Sequence, residues 1–115
     1  MAEQTLTPET WRAKARQARV VSLATLGGAK IILRPISALR ASQMNVENGT
    51  DQRRRIAAMV AETALAGEVE GDKVVSAGSP IWTLADFDRE DFPADVLTEL
   101  INVVADYYNG DPAKN

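Results

Sequence analysis

The stretch Phe92-Pro93-Ala94-Asp95-Val96-Leu97-Thr98-Glu99-Leu100-Ile101-Asn102-Val103-Val104-Ala105-Asp106-Tyr107-Tyr108-Asn109-Gly110 decides how this chain folds. At about 100° per residue, Val96, Leu97, Leu100, Ile101, Val103, Val104, Tyr107 and Tyr108 share an arc of roughly 160°. Asp91, Pro93 and Asp95 supply the proline and the negative charge that suit a helix start, and Asn109-Gly110 followed by Asp111-Pro112 supplies a stop. The spacing therefore predicts a helix with one broad apolar side, which must bury that side against other elements. Its width suffices for a contact with the rest of the domain, which leaves the edge of the stripe as the part free for a partner. Just upstream, Thr83-Leu84-Ala85-Asp86 fits a capping box and predicts a helix of one or two turns that presents Leu84 and Phe87, with Trp82 immediately before it.

Further upstream the chain changes period. Arg19 to Leu26 and Lys30 to Arg34 are rich in Val, Leu and Ile and are separated by Gly27-Gly28, which predicts a β-hairpin closed by Pro35. Thr7-Pro8-Glu9 reads as the start of a short helix to about Ala18, with Trp11 capping the core and Arg12, Arg16 and Arg19 along its flank. Ile36 to Met44 predicts another helix, ended by the Asn48-Gly49 turn signal. Thr50 or Asp51 then caps a helix to about Ala66, with Ile56, Met59, Val60 and Thr63 on its apolar face and Gly67 as its stop. Between 67 and 80 the acidic residues Glu68, Glu70 and Asp72 interleave with Gly71 and Gly78, which predicts a polar loop with at most a short strand at Lys73 to Ser76. The expected organisation is a single domain: a short helix (7–18), a β-hairpin (19–35), two helices (36–66), a loop (67–80), a short helix plus the C-terminal helix (81–110) and a tail (111–115). The expected fold class is α+β, an N-terminal β-hairpin packed with a small bundle of three to five helices.

Composition narrows the chemistry. The chain has 115 residues, enough for one modest core, and its 45% hydrophobic and 25% charged content is that of a globular protein. It contains neither cysteine nor histidine, which removes disulfides, thiolate metal sites, the commonest general base and the commonest transition-metal ligand. The expectation is no enzyme, no cofactor and no metal. Residues 1–57 carry ten Lys/Arg and four Asp/Glu, while residues 58–115 carry three and twelve. That polarity fits two different partners, an acidic half folding against a basic one, or head-to-tail self-association, and intramolecular complementarity with solvated faces is favoured. The triple Arg53-Arg54-Arg55 and the N-terminal arginines invite a nucleic-acid reading. Solvated faces on a net acidic chain are favoured instead, so nucleic acid is not an expected partner. No signal-peptide pattern or long apolar run is present, and a cytoplasmic protein without a membrane partner is expected.

The order of these signals resembles the small tail assembly chaperones of long-tailed bacteriophages. Val20 to Ile36 is similar to the opening strand, Gly turn, strand and Arg-Pro stretch of that family. Glu70-Gly71-Asp72, Ile81-Trp82-Thr83-Leu84-Ala85-Asp86 and Phe92-Pro93-Ala94-Asp95-Val96-Leu97 through to Tyr108-Asn109-Gly110 resemble its ending. The N-terminal helix and the triple arginine lie outside the pattern. The resemblance implies a non-enzymatic protein of the bacterial host cytoplasm that coats the tape-measure protein, keeps it soluble and helps recruit tail-tube subunits. It implies partner contacts at Trp82, Phe87, Phe92, Tyr107 and Tyr108. Two other readings stay open: a small regulatory or antitoxin-like binding protein, and a structural tail component.

Overall fold

The computed structural model describes Glu3 and residues 5–110; the tail 111–115, with the Asp111-Pro112 expected to follow the last helix, lies outside the described residues. In chain order the elements are α1 (Trp11–Lys14), β1 (Arg19–Leu23), a 3-10 turn (Ala24–Leu26), β2 (Ala29–Leu33), α2 (Ala38–Asn48), α3 (Gln52–Thr63), β3 (Ala64–Glu70), β4 (Lys73–Pro80), α4 (Leu84–Phe87) and α5 (Ala94–Asn109). The class is α+β, as expected. The β component, however, is one antiparallel four-stranded sheet in the order β1-β2-β3-β4 rather than a lone hairpin.

The first hairpin forms where Gly27-Gly28 allows it. Both glycines have positive φ, 67° and 84°, a region in which a side chain is strained. The register places Val21 opposite Ile31 and Arg19 opposite Leu33, and Leu33 in turn opposite Ala64 of β3. Directly paired residues point to the same face, so Val21, Leu23, Ile31, Leu33 and Ala64 form one apolar sheet surface. On it lie Val96, Leu100, Val104 and Tyr107 of α5, with Val60 of α3, as a single core. These four α5 residues are the centre of the arc read from the sequence, and Leu97, Ile101 and Tyr108 are its half-buried flank.

The region expected as a loop, 67–80, is instead the second hairpin, β3 and β4. Only two residue pairs join β2 to β3, Ile32 with Leu65 and Leu33 with Ala64. In the pairing of β3 with β4, register shifts follow between Leu65 and Gly67 and between Glu68 and Val69, irregularities that bend the hairpin. The hairpin curls over the opposite sheet face, burying Ile32 and Leu65 and bringing the Gly71 carbonyl within 3.0 Å of Lys30 Nζ. Gly67 makes this close approach possible: a Cβ there would sit 2.7 Å from Ile32 Cδ1 and 2.2 Å from the Ser76 carbonyl oxygen. The glycine expected as a helix stop is therefore a packing residue within a strand.

The helices also depart from expectation. α3 ends at Thr63, not Ala66, because Ala64 and Leu65 are fully buried in the sheet. Its buried residues are Ala58, Val60, Ala61 and Thr63, while Ile56 and Met59 are 43% and 37% exposed. The small alanines, not the larger pair, face inward. The expected helix over 7–18 is reduced to the single turn of α1, which buries no residue, and Trp11 is 46% exposed rather than capping the core. A helix this short is marginal without a surface to pack on. Gln17 Nε2 bonds the carbonyls of Arg12 and Ala15, at 2.9 and 3.1 Å, and the chain turns away.

Two polar clasps bind the N-terminal half to α5. Arg16 donates from Nη1 to the Tyr107 carbonyl and from Nη2 to the Tyr108 carbonyl, the latter at 2.8 Å, so a cation satisfies the negative end of the helix. Glu99 accepts from the backbone N–H groups of Ala24 and Thr25 at 2.8 and 2.9 Å and from Thr25 Oγ1 at 2.6 Å. The Thr25 hydroxyl, then the backbone N–H groups, hold its carboxyl below the usual range. A carboxyl with a lowered folded-state pKa stabilises above its unfolded value and loses that contribution as pH falls through its folded value. Glu99→Gln is therefore expected to lower the thermal midpoint at neutral pH, and the gap to wild type should close as pH drops below about 4.5. Thermal melts of both proteins across that range check this; a gap independent of pH would contradict it.

Candidate partner-binding site

The five residues expected as partner contacts divide into two groups. Tyr107 is 1% exposed, and its hydroxyl donates to the Gln17 carbonyl at 2.5 Å. Burial, with a smaller push from Tyr108, raises its phenol to about 12. Tyr108 is half-buried; its hydroxyl accepts from the Ile36 N–H at 3.2 Å and shares a hydrogen bond of 2.9 Å with Thr63 Oγ1. These two tyrosines therefore tie α5 to the N-terminal strap, to the segment after β2 and to the end of α3. The expectation of Tyr107 as a partner contact is corrected: it lies in the core because its place on α5 is at the centre of the buried stripe.

Trp82, Phe87 and Phe92 come together as a cluster flanking the core. Ring centroids are 6.5 Å apart for Trp82 and Phe87, 6.3 Å for Trp82 and Phe92, and 5.1 Å for Phe87 and Phe92, the last two pairs edge-to-face. This geometry suits aromatic quadrupoles and fixes α4 against the start of α5. The Thr83 N–H donates to Asp86 Oδ2 at 2.8 Å, so the capping box holds α4 in place. Phe92 is the hub of the cluster; Trp82 and Phe87 each also line a surface groove.

The larger groove, about 560 Å³, lies between α3, α4 and α5. Its apolar lining is Ile56, Ala57, Leu84, Phe87, Leu97 and Ile101, and Asp51, Gln52, Arg53, Arg54 and Asp88 complete it. Leu97 and Ile101 are the flank of the α5 stripe that the sheet does not cover. Ile56 also lines a second groove of about 450 Å³ with Ile36, Met44 and Met59, so apolar surface continues across the outer ridge of α3. Concave apolar surface with a few charges at its rim is what binding clefts share, and 560 Å³ is within their usual range of about 300–1,000 Å³. Of the α3 face expected as apolar, Val60 and Thr63 are buried, while Ile56 and Met59 lie at its exposed edge and carry this surface.

Some charged side chains elsewhere are held within the fold. Arg40 pairs with Glu47 at 3.0 Å and with Glu62 at 2.8 Å. Arg54 Nε donates to Asn48 Oδ1 at 3.0 Å and Arg55 Nη2 to Asn45 Oδ1 at 2.8 Å, which ties α3 to α2. Of the triple arginine, only Arg53 lacks a side-chain hydrogen bond or ion pair among the described residues. No group of His, Cys, Asp or Glu among the described residues is arranged to hold a metal ion, and no helix among them is long and apolar enough to cross a membrane. No protein-family model, no curated protein and no solved structure matches this chain.

Proposed function

We propose that this protein is a non-enzymatic assembly chaperone of the phage-tail type, which shields apolar helical segments of a tape-measure protein and helps recruit tail-tube subunits. The observation that carries the reading is the groove between α3, α4 and α5. It sits at the edge of the α5 stripe, next to Trp82 and Phe87; its α4 and α5 sides come from the segment that resembles the tail chaperones, while its α3 side, with the triple arginine, lies outside that pattern. An amphipathic helix laid in such a groove exchanges water for the apolar floor, which is how helix-in-groove recognition works. The acidic C-terminal half adds charge that keeps the complex soluble. A cytoplasmic setting and the absence of a cofactor belong to the same proposal.

Removing residues 80–115 to test it would remove α5 and with it the core, so a point change serves better. Co-expression of this protein with a phage tape-measure protein is expected to raise the soluble fraction of that client. Ile56→Glu, at a position that is 43% exposed, is expected to abolish the gain while leaving the fold intact. Measured as client in supernatant against pellet, equal solubility with and without wild-type protein rejects the chaperone reading. Equal rescue by Ile56→Glu rejects the groove.

A further inference from the structure

We infer that the groove between α3, α4 and α5 takes an amphipathic helix of another chain that carries carboxylates along one flank of its apolar stripe and cations along the other, and that these charges set the direction in which the helix lies. The inference deepens the binding reading above and rests on it. The apolar floor supplies attraction but no orientation, because a stripe of Leu-like side chains fits such a floor in either direction. Orientation comes from the walls, which differ in sign. The α3 side presents Arg53 and Arg54 beside the carboxylate of Asp51, which accepts from the Arg54 backbone N–H, so its net charge is positive; the α4 side presents Asp88. Arg54 donates from Nε to Asn48 Oδ1. Arg53 and Asp88 have no side-chain hydrogen bond or ion pair among the described residues, since the nearby Arg89 is bound to Asp91 at 3.0 Å.

A helix is chiral, so its two flanks are distinguishable once its stripe faces the floor. Carboxylates beside Arg53 and cations beside Asp88 are then satisfied in one direction only, and the reversed helix places like charges together at both walls. A second copy of this chain is a poorer occupant. Its outward helix face on α2 has Leu39 and Val46, 72% and 85% exposed, but Arg40 and Glu47 beside them are already paired with each other and with Glu62. The α1 helix is a single turn, and the exposed Ile56 and Met59 of α3 belong to the groove surface itself.

Three synthetic helical peptides with the same leucine stripe test this against the full chain: one with Glu along one flank and Lys along the other, one with Lys on both, one with Glu on both. By fluorescence anisotropy the mixed peptide is expected to bind about fivefold more tightly than either of the others, the ratio that one partly exposed ion pair sustains. Arg53→Glu is expected to remove that preference, and Arg53→Glu with Asp88→Lys to restore it with the helix reversed. A paramagnetic label on the peptide's N-terminus reads the reversal as broadening that moves from one end of the groove to the other. Equal binding of the three peptides, or a double variant that binds no better than the single one, overturns the inference. So does sedimentation showing a dimer that the mixed peptide dissociates, which would assign the groove to a second copy. Client rescue without charge preference among the peptides sinks this inference alone; failure of client rescue sinks the chaperone reading and leaves the peptide result to stand or fall by itself.

Discussion

Leu100→Ala is expected to destabilise the protein by about 2–5 kcal/mol, the range for emptying a buried leucine site. Leu100 is fully buried at the centre of the α5 stripe, among Val96, Val104 and Tyr107 and facing Leu23, Ile31 and Leu33 of the sheet. Sheet and helix backbones around it are fixed by their own hydrogen bonds, so little can move in to fill the void. Small domains have about 5–15 kcal/mol in total, which makes the loss a large fraction of stability. Urea denaturation checks it: the midpoint should fall with the slope unchanged. Leu97→Ala, on the groove flank of the same helix, should cost less than half as much, because its side chain is only partly removed from water. Similar losses at the two sites would mean that α5 is not buried along the stripe described.

Gly67→Ala is the second large effect. A Cβ at this position would lie 2.2 Å from the Ser76 carbonyl oxygen and 2.7 Å from Ile32 Cδ1, and one of those obstacles is backbone of the paired strand. The side chain of Ile32 can rotate; the strand cannot yield without loss of the β3–β4 pairing. The expected result is therefore loss of the second hairpin from the sheet and exposure of Ile32 and Leu65, with the α5 core on the other face retained in part. Hydrogen exchange should show faster amide exchange over 65–79 and little change in α5. Wild-type stability for Gly67→Ala would contradict the close approach of the two sheet faces.

These two sites mark what was legible in the sequence and what was not. Leu100 belongs to a stripe with a clean helical period, and periodicity of that kind reports burial directly, so the buried centre of α5 and its half-buried flank were both readable. The Gly27-Gly28 turn was readable for a similar reason, since only glycine suits two successive positive φ values. The second hairpin was not. Its strands expose much of both faces, so Glu68, Glu70, Lys73 and Ser76 break the alternation that announces a half-buried strand, and Gly67 and Gly78 look like interruptions. Gly67 is tolerated in β3 because Ile32 crosses over it, a tertiary fact with no local sign. On α3 the reading was right for Val60 and Thr63 and wrong for Ile56 and Met59, because Ala58 and Ala61 take the inward positions beside them. Hydrophobicity favours the larger pair, whereas close packing favours the alanines.

The same limits apply to the site. Trp82, Phe87 and the edge of α5 were legible as neighbours through the capping box and the stripe, and they do meet in space. Tyr107 and Tyr108 stand out in sequence as large contact groups. In the fold they are the residues through which α5 holds Gln17, Ile36 and Thr63, so their hydroxyls are partnered internally. Ile56 and Arg53, which shape the groove most, carry no signal that separates them from any other residues on a helix surface.

The central claim is that the groove between α3, α4 and α5 is where a helical client binds. Hydrogen–deuterium exchange of the full chain with and without a helical fragment of a tape-measure protein tests it most directly. Protection should gather in the first half of α3, in α4 and in the exposed flank of α5 around Leu97 and Ile101. Protection confined to the β1 or β4 edge, or to the basic segment around Trp11, would contradict it.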